Sequence, residues 1–196
     1  MALGGQRGVT LIEMLVSMTV LLLALSGLAK MMIESSRINK AQQLTATVQA
    51  NARNSLAMIE QKLRSAGWDP GNAGIPTLTL DPDLSDDVSE LEVFADLDGD
   101  GATDAANEQI LIRHTGGQIV WRPIADTSVP FVVLAGNISN DSDADGTIEP
   151  MFVPDSTTNP RRVTIRITAE SPVPNPMSGE FIRYTVSSDV VLRKAL

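Results

Sequence analysis

Asp96, Asp98, Asp100 and Asp104 occupy positions one, three, five and nine of a segment with Gly101 at position six. This spacing opens an EF-hand-like calcium loop. Alternate side chains turn inward, their hard oxygens suit a divalent cation, and glycine permits the sharp bend. Ala102, at position seven, would offer its backbone carbonyl. The closing glutamate expected at position twelve is missing: Asn107 stands there, and Glu108 comes one place later. Asp141, Asp143 and Asp145, with Gly146 and then Glu149, repeat the spacing, and Phe152 takes the twelfth place. The chemistry expected is structural Ca²⁺ binding, in which the ion offsets carboxylate repulsion and stiffens a long connection. The plainer reading is two acidic, glycine-rich surface turns.

A second kind of chemistry lies near the start of the chain. Val9 to Ala29 is an apolar run with one ionisable residue, Glu13, bounded by Arg7 before and Lys30 after. A run of this length matches the roughly 20 residues a helix needs to cross the hydrocarbon core. A carboxylate deep in such a helix costs about 2.5–3.5 kcal/mol on insertion scales. Glu13 lies close enough to the end to snorkel, which lowers the cost, and a charge kept there suits an oppositely charged partner. Ordinary secretory signals place a small-residue cleavage site after the apolar core. Here the small residue, Gly8, comes before it. Cleavage after Gly8 would leave the apolar segment on the mature protein and create a new amino terminus at Val9, four residues from Glu13.

Arg7-Gly8-Val9-Thr10-Leu11-Ile12-Glu13 resembles the class III signal of type IV prepilins and type II secretion pseudopilins. The resemblance implies cleavage between Gly8 and Val9 by a prepilin peptidase on the cytoplasmic side, followed by N-methylation of Val9. Glu13 occupies that family's glutamate at mature position five, and the charge reading above gives it an assembly role, pairing with the amino terminus of a neighbouring subunit. The first mature residue in this family is most often phenylalanine, and Val9 departs from that while staying apolar. Residues 1–8 are then a leader. Residues 9–29 span the inner membrane once, the C-terminal domain lies in the periplasm, and the mature chain passes into a pilus or pseudopilus.

The remaining composition narrows the function further. A net charge of −9 and no basic run argue against nucleic-acid binding, which needs a concentrated positive patch. The absence of cysteine removes disulfides, thiol nucleophiles and cysteine metal sites. Aromatics make up only 4% of the chain, too few for a base- or sugar-stacking platform. His114 is the only histidine and falls on a strand pattern, so it reads as a surface or packing residue. No constellation suggests an enzyme. Trp68 and Trp121 read as core or interface residues.

Several elements must position these groups. Leu44, Val48, Ala52, Leu56, Ile59 and Leu63 recur at helical spacing, so the spanning helix continues as an amphipathic half over 30–67. One helix from about Val9 to Ala66 is expected, ended by Gly67 and Pro70. Asn51-Ala-Arg53 and Arg64-Ser-Ala66-Gly67-Trp68 resemble the corresponding helix end of PilW-like minor pilins and J-type pseudopilins. Alternating or apolar runs at 90–94, 109–114, 118–122, 131–134, 162–168, 180–186 and 189–192 read as strands, the last two as one long strand. Thr115-Gly-Gly117 suggests a hairpin turn. The fold class is α+β and pilin-like, with a long N-terminal helix packed on an antiparallel sheet in a domain of residues 68–196. The function expected is that of a minor pilin acting in pilus assembly, initiation or the tip, joined to other pilins through the helix. The alternatives are a J-like pseudopilin of type II secretion and a membrane-displayed, calcium-dependent adhesin.

Overall fold

In a computed structural model, residues 9–80, 89–105, 107–124, 128–156 and 160–192 are described. Helix α1 runs Leu11–Leu63. It starts two residues later than the apolar run because Thr10 is extended, with its hydroxyl accepting from the Glu13 N–H. It stops short of Ala66 because the chain tightens into turns. Ser65 and Ala66 donate to the carbonyls of Lys62 and Leu63, and Gly67, at φ 71°, turns its N–H to Phe94 instead. Leaving a helix in this left-handed conformation suits glycine, which has no Cβ to clash.

Eight strands follow: β1 (Leu78–Leu80), β2 (Glu90–Phe94), β3 (Gln109–Thr115), β4 (Gln118–Pro123), β5 (Val132–Gly136), β6 (Phe152–Pro154), β7 (Arg162–Glu170) and β8 (Arg183–Val191). They form not one antiparallel sheet but two, of order β1-β2-β3-β4-β5 and β6-β7-β8. The hairpin at Gly116-Gly117 joins β3 to β4 as expected, and both glycines have positive φ. The last strand is continuous but begins at Arg183, because 171–182 forms a separate loop. Phe131 is not in β5. Its ring centroid is 5.4 Å from the Arg113 guanidinium and 4.6 Å from that of Arg122, and both stabilise it by cation–π attraction.

A seam joins the two sheets. Beyond β5, residues 137–140 run beside β7: Ile138 bridges to Ala169, Glu170 N donates to Asn137 O, and Ser139 N to Thr168 O. His114 is buried here, and its Nε2 is 3.0 Å from the Ile138 carbonyl. It is therefore a packing histidine, and its Nε2–H donates to that carbonyl. Across the seam, Met151 N donates to the buried Ser89 hydroxyl.

Along α1, Val48, Ala52, Ile59 and Leu63 are buried against both sheets, while Leu44 and Leu56 are half-buried. Leu91, Val93, Ile110, Ile112 and Ile119 come from the larger sheet, and Val163, Ile165 and Ile167 from the smaller, into one shared core. Burying each such side chain fully contributes about 1.5–3 kcal/mol. Asn51 adds specificity, donating to Gly136 O at 2.7 Å where β5 reaches the helix. Trp121 is half-buried with Lys62 Nζ 4.6 Å from its ring, whereas Trp68 stays 43% exposed at the far end of α1.

Candidate functional site: the bare half of α1 and two acidic loops

Every residue of α1 from Leu11 to Lys40 is exposed, and Ala41 is the first buried one. At roughly 1.5 Å per residue, some 45 Å of helix stands clear of the domain. Leu11, Ile12, Leu15, Leu21, Leu22 and Leu25 show no preferred face, since all are more than half exposed. A helix apolar on every side belongs in lipid or inside an assembly. It is also the one helix among the described residues long and apolar enough to cross a membrane.

Three hydroxyls in the apolar stretch are satisfied locally. Ser17, Thr19 and Ser26 donate to carbonyls three or four residues back, at 2.7–2.8 Å. This back-bonding removes the need for water in an apolar surrounding. Glu13 differs, because no described residue pairs with its carboxylate. It sits at the third helical position after the Thr10 cap, where the positive end of the helix dipole favours an acid. Thr10-Leu-Ile-Glu13 has the spacing of a capping box, a signal that fixes the helix start and that the apolar pattern alone missed. Val9 precedes the helix and is exposed, and Gly8 and the leader lie outside the described residues.

Both acidic segments adopt one conformation. Asp96 accepts from the N–H groups of Gly99 and Gly101; Asp141 accepts from those of Ala144 and Gly146. Asp98 and Asp100 accept from residues two further on, as do Asp143 and Asp145. The fourth and sixth residues have positive φ in each loop: Gly99 and Gly101, then Ala144 and Gly146.

The carboxylates that come together differ in part from those the spacing picks out. In the first loop, oxygens of Asp96, Asp98 and Glu108 lie within 4.8 Å of one another. Asp100 and Asp104 are exposed and outside that group; Ala102 is half-buried and donates its N–H to Asp100. Glu108, one place beyond the expected closing position, is buried and accepts from the N–H groups of Leu97, Asp98 and Ala105. In the second loop Asp141, Asp143 and Asp145 gather, while Glu149 instead accepts from Ser142 and faces Arg166 at 3.6 Å.

Charge in the first loop is unevenly settled. The Ala105 N–H, with those of Leu97 and Asp98, holds Glu108 below the usual carboxylate range against the opposing effect of burial. For Asp98 the hydrogen bond from Asp100 is the largest single influence and lowers its pKa. Burial and repulsion from Asp100, Glu108 and Asp96 together outweigh it and push Asp98 up. In the second loop, the Thr147 N–H holds Asp145 down.

A family described as the prokaryotic N-terminal methylation motif matches residues 3–29. No curated protein and no solved structure matches the chain. The motif implies processing by prepilin peptidase and assembly with other pilins, and with the bare apolar helix it fits membrane anchoring followed by assembly. Together, the matched motif and a long helix on antiparallel sheets support a type IV pilin-like protein, of pilin or pseudopilin type and structural in kind.

Proposed function

We propose that the chain is a minor pilin that enters a fibre through α1, after cleavage between Gly8 and Val9 and methylation of Val9. The observation that carries this reading is the contrast within one helix: a first half bare and apolar on all sides, and a second half buried in the core. Before assembly the bare half would anchor the subunit in the inner membrane in a single pass, with the domain in the periplasm. Within the fibre, Glu13 would pair with the amino terminus of a neighbour. That pairing would remove the cost of leaving a carboxylate unpaired in an apolar assembly.

Mass spectrometry of the mature N-terminus from native membranes tests the cleavage. A chain starting at Met1, or inside the apolar run, would refute it. Replacement of Glu13 by Ala tests the pairing: membrane insertion should persist while assembly or methylation fails. Normal assembly of that variant rules the pairing out. The resemblance around Asn51 and Ala66 favours a PilW-like subunit but fits a J-like pseudopilin of type II secretion as well. Neighbouring genes separate the two, with secretion genes favouring the pseudopilin.

A calcium-dependent adhesin is the second reading. It is supported by the shared backbone conformation of the two acidic loops and by the crowding of Asp96, Asp98 and Glu108. Ca²⁺ at either loop would act as a structural stabiliser. Calcium titration of the chelated protein, with Mg²⁺ as control, should raise the melting temperature if an ion binds the native state. Surface-binding assays with and without chelator then decide whether the ion serves adhesion.

A further inference from the structure

The loop between β7 and β8 carries apolar side chains that the fold does not bury. Val173, Met177 and Phe181 are 51, 55 and 46% exposed. The loop holds itself in shape. Ser171 N donates to Ile182 O, Asn175 N to Glu180 O and Gly179 N to Asn175 O. Met177 N and Ile182 N donate to the side chains of Asn175 and Ser171. These side chains are thus presented on a closed, hydrogen-bonded frame.

Its direction is set by its contacts with α1. Pro172, at the start, borders a groove with Thr47, Asn51 and Asn54. Val173, Pro174 and Pro176 border a second groove of about 360 Å³ with Lys40, Gln43 and Leu44. Leaving β7, the loop therefore runs back along α1 toward its bare half. Val173, Pro174 and Pro176 thus lie beside Lys40, where the exposed half of the helix ends.

Distances along the helix locate these residues. With Lys30 snorkelling, the largely apolar stretch from Leu11 to Ile33 is about 33 Å long at roughly 1.5 Å per residue, close to the ~30 Å hydrocarbon core. Headgroups add about 5–8 Å on each side. Lys40 lies some 10 Å beyond Ile33 along the axis. A helix tilt of about 20°, ordinary for spanning segments, lowers one side of the domain further. At this level α1 exposes Arg37 and Lys40 with one acid, Glu34. Basic side chains beside a leaflet that carries anionic headgroups are attracted to it within a Debye length.

We infer that, before assembly, the β7–β8 loop docks on the membrane surface. Met177 and its apolar neighbours enter the headgroup boundary, while Arg37 and Lys40 hold anionic lipid. The domain then has a second membrane contact that fixes its orientation for capture by the fibre. The inference rests on the membrane-anchored reading above.

The chain has no cysteine, so single labels are unique. Met177→Cys, Leu97→Cys and Leu22→Cys variants of the mature chain would carry a small fluorophore. Each is reconstituted sparsely in phosphatidylethanolamine–phosphatidylglycerol vesicles, with nitroxides on headgroups or acyl chains. Leu97 serves as the distal reference, because its neighbour Asp96 bonds to Trp68 beyond the end of α1. Headgroup nitroxide should quench the label at 177 several-fold more than the label at 97. The excess should fall when Arg37 and Lys40 are both changed to Gln. Equal quenching at 177 and 97, with the label at 22 quenched from the acyl chains, overturns the docking and spares the anchor. Protection at 177 that arises only at high protein density assigns the loop to a neighbouring subunit and likewise overturns it. An unquenched label at 22 removes the anchor, and this inference with it.

Discussion

Asn140 is fully buried at the seam between the sheets, with φ 48°. Its Oδ1 accepts from Thr168 N at 3.1 Å, and its Nδ2 donates to Glu149 O. Glu149 N in turn donates to Asn140 O at 2.7 Å, so residues 140 and 149 close the neck of the second acidic loop. Replacement by Gly keeps the backbone conformation but removes both side-chain bonds. Leaving the buried Thr168 N–H without a partner costs about 1–3 kcal/mol, and the half-exposed Glu149 carbonyl adds up to about 1 kcal/mol. Asn140→Gly should therefore destabilise the protein by about 1–4 kcal/mol. Asn140→Ala loses the same bonds and also puts a Cβ in the left-handed region, for about 1–2 kcal/mol more. Urea unfolding of the mature chain in mild detergent, followed by fluorescence of Trp68 and Trp121, measures both. A Gly variant within about 0.5 kcal/mol of the parent, or an Ala variant no worse than Gly, would show that the neck does not depend on this residue.

Other perturbations have equally definite outcomes. Ile59→Ala, at a site with no exposed surface in the shared core, should cost about 2–5 kcal/mol in the same unfolding assay. His114→Phe leaves the Ile138 carbonyl without its donor and should cost about 1–3 kcal/mol, whereas His114→Gln, which can still donate, should cost less. Glu108 has a depressed folded pKa, so its stabilisation is complete above the unfolded value and is lost as pH falls through the folded one. Melting temperatures of Glu108→Gln across that acid range should accordingly vary less with pH than those of the parent. Asp98 is raised, so its ionisation opposes folding above the folded pKa. Without divalent cations at neutral pH, Asp98→Asn should melt higher than the parent, and it should gain less on adding Ca²⁺ if the loop binds the ion.

Much of this architecture was legible because it depends on local pattern. The apolar run marks the bare half of α1, and the recurrence of Val48, Ala52, Ile59 and Leu63 marks the buried half. Longer strands such as β7 showed their alternation. The three-residue β1 and β6 did not, since so short a run has no measurable period. The PilW-like resemblance covers only part of one helix and leaves the kind of subunit to experiment.

Sequence by itself determined where the chain can meet lipid, because hydropathy is a property of each side chain and α1 needs no tertiary contact to be apolar. It also determined the acidic spacing. Only the tertiary structure decided which carboxylates converge: Glu108 joins Asp96 and Asp98 because β3 starts beside the loop, and Arg166 on β7 draws Glu149 toward it. The seam is likewise a tertiary result. His114 is far along the chain from Ile138, as Asn140 is from Thr168, and their hydrogen bonds exist only once the two sheets close on the helix. Such contacts depend on distance in space, which no spacing along the chain encodes.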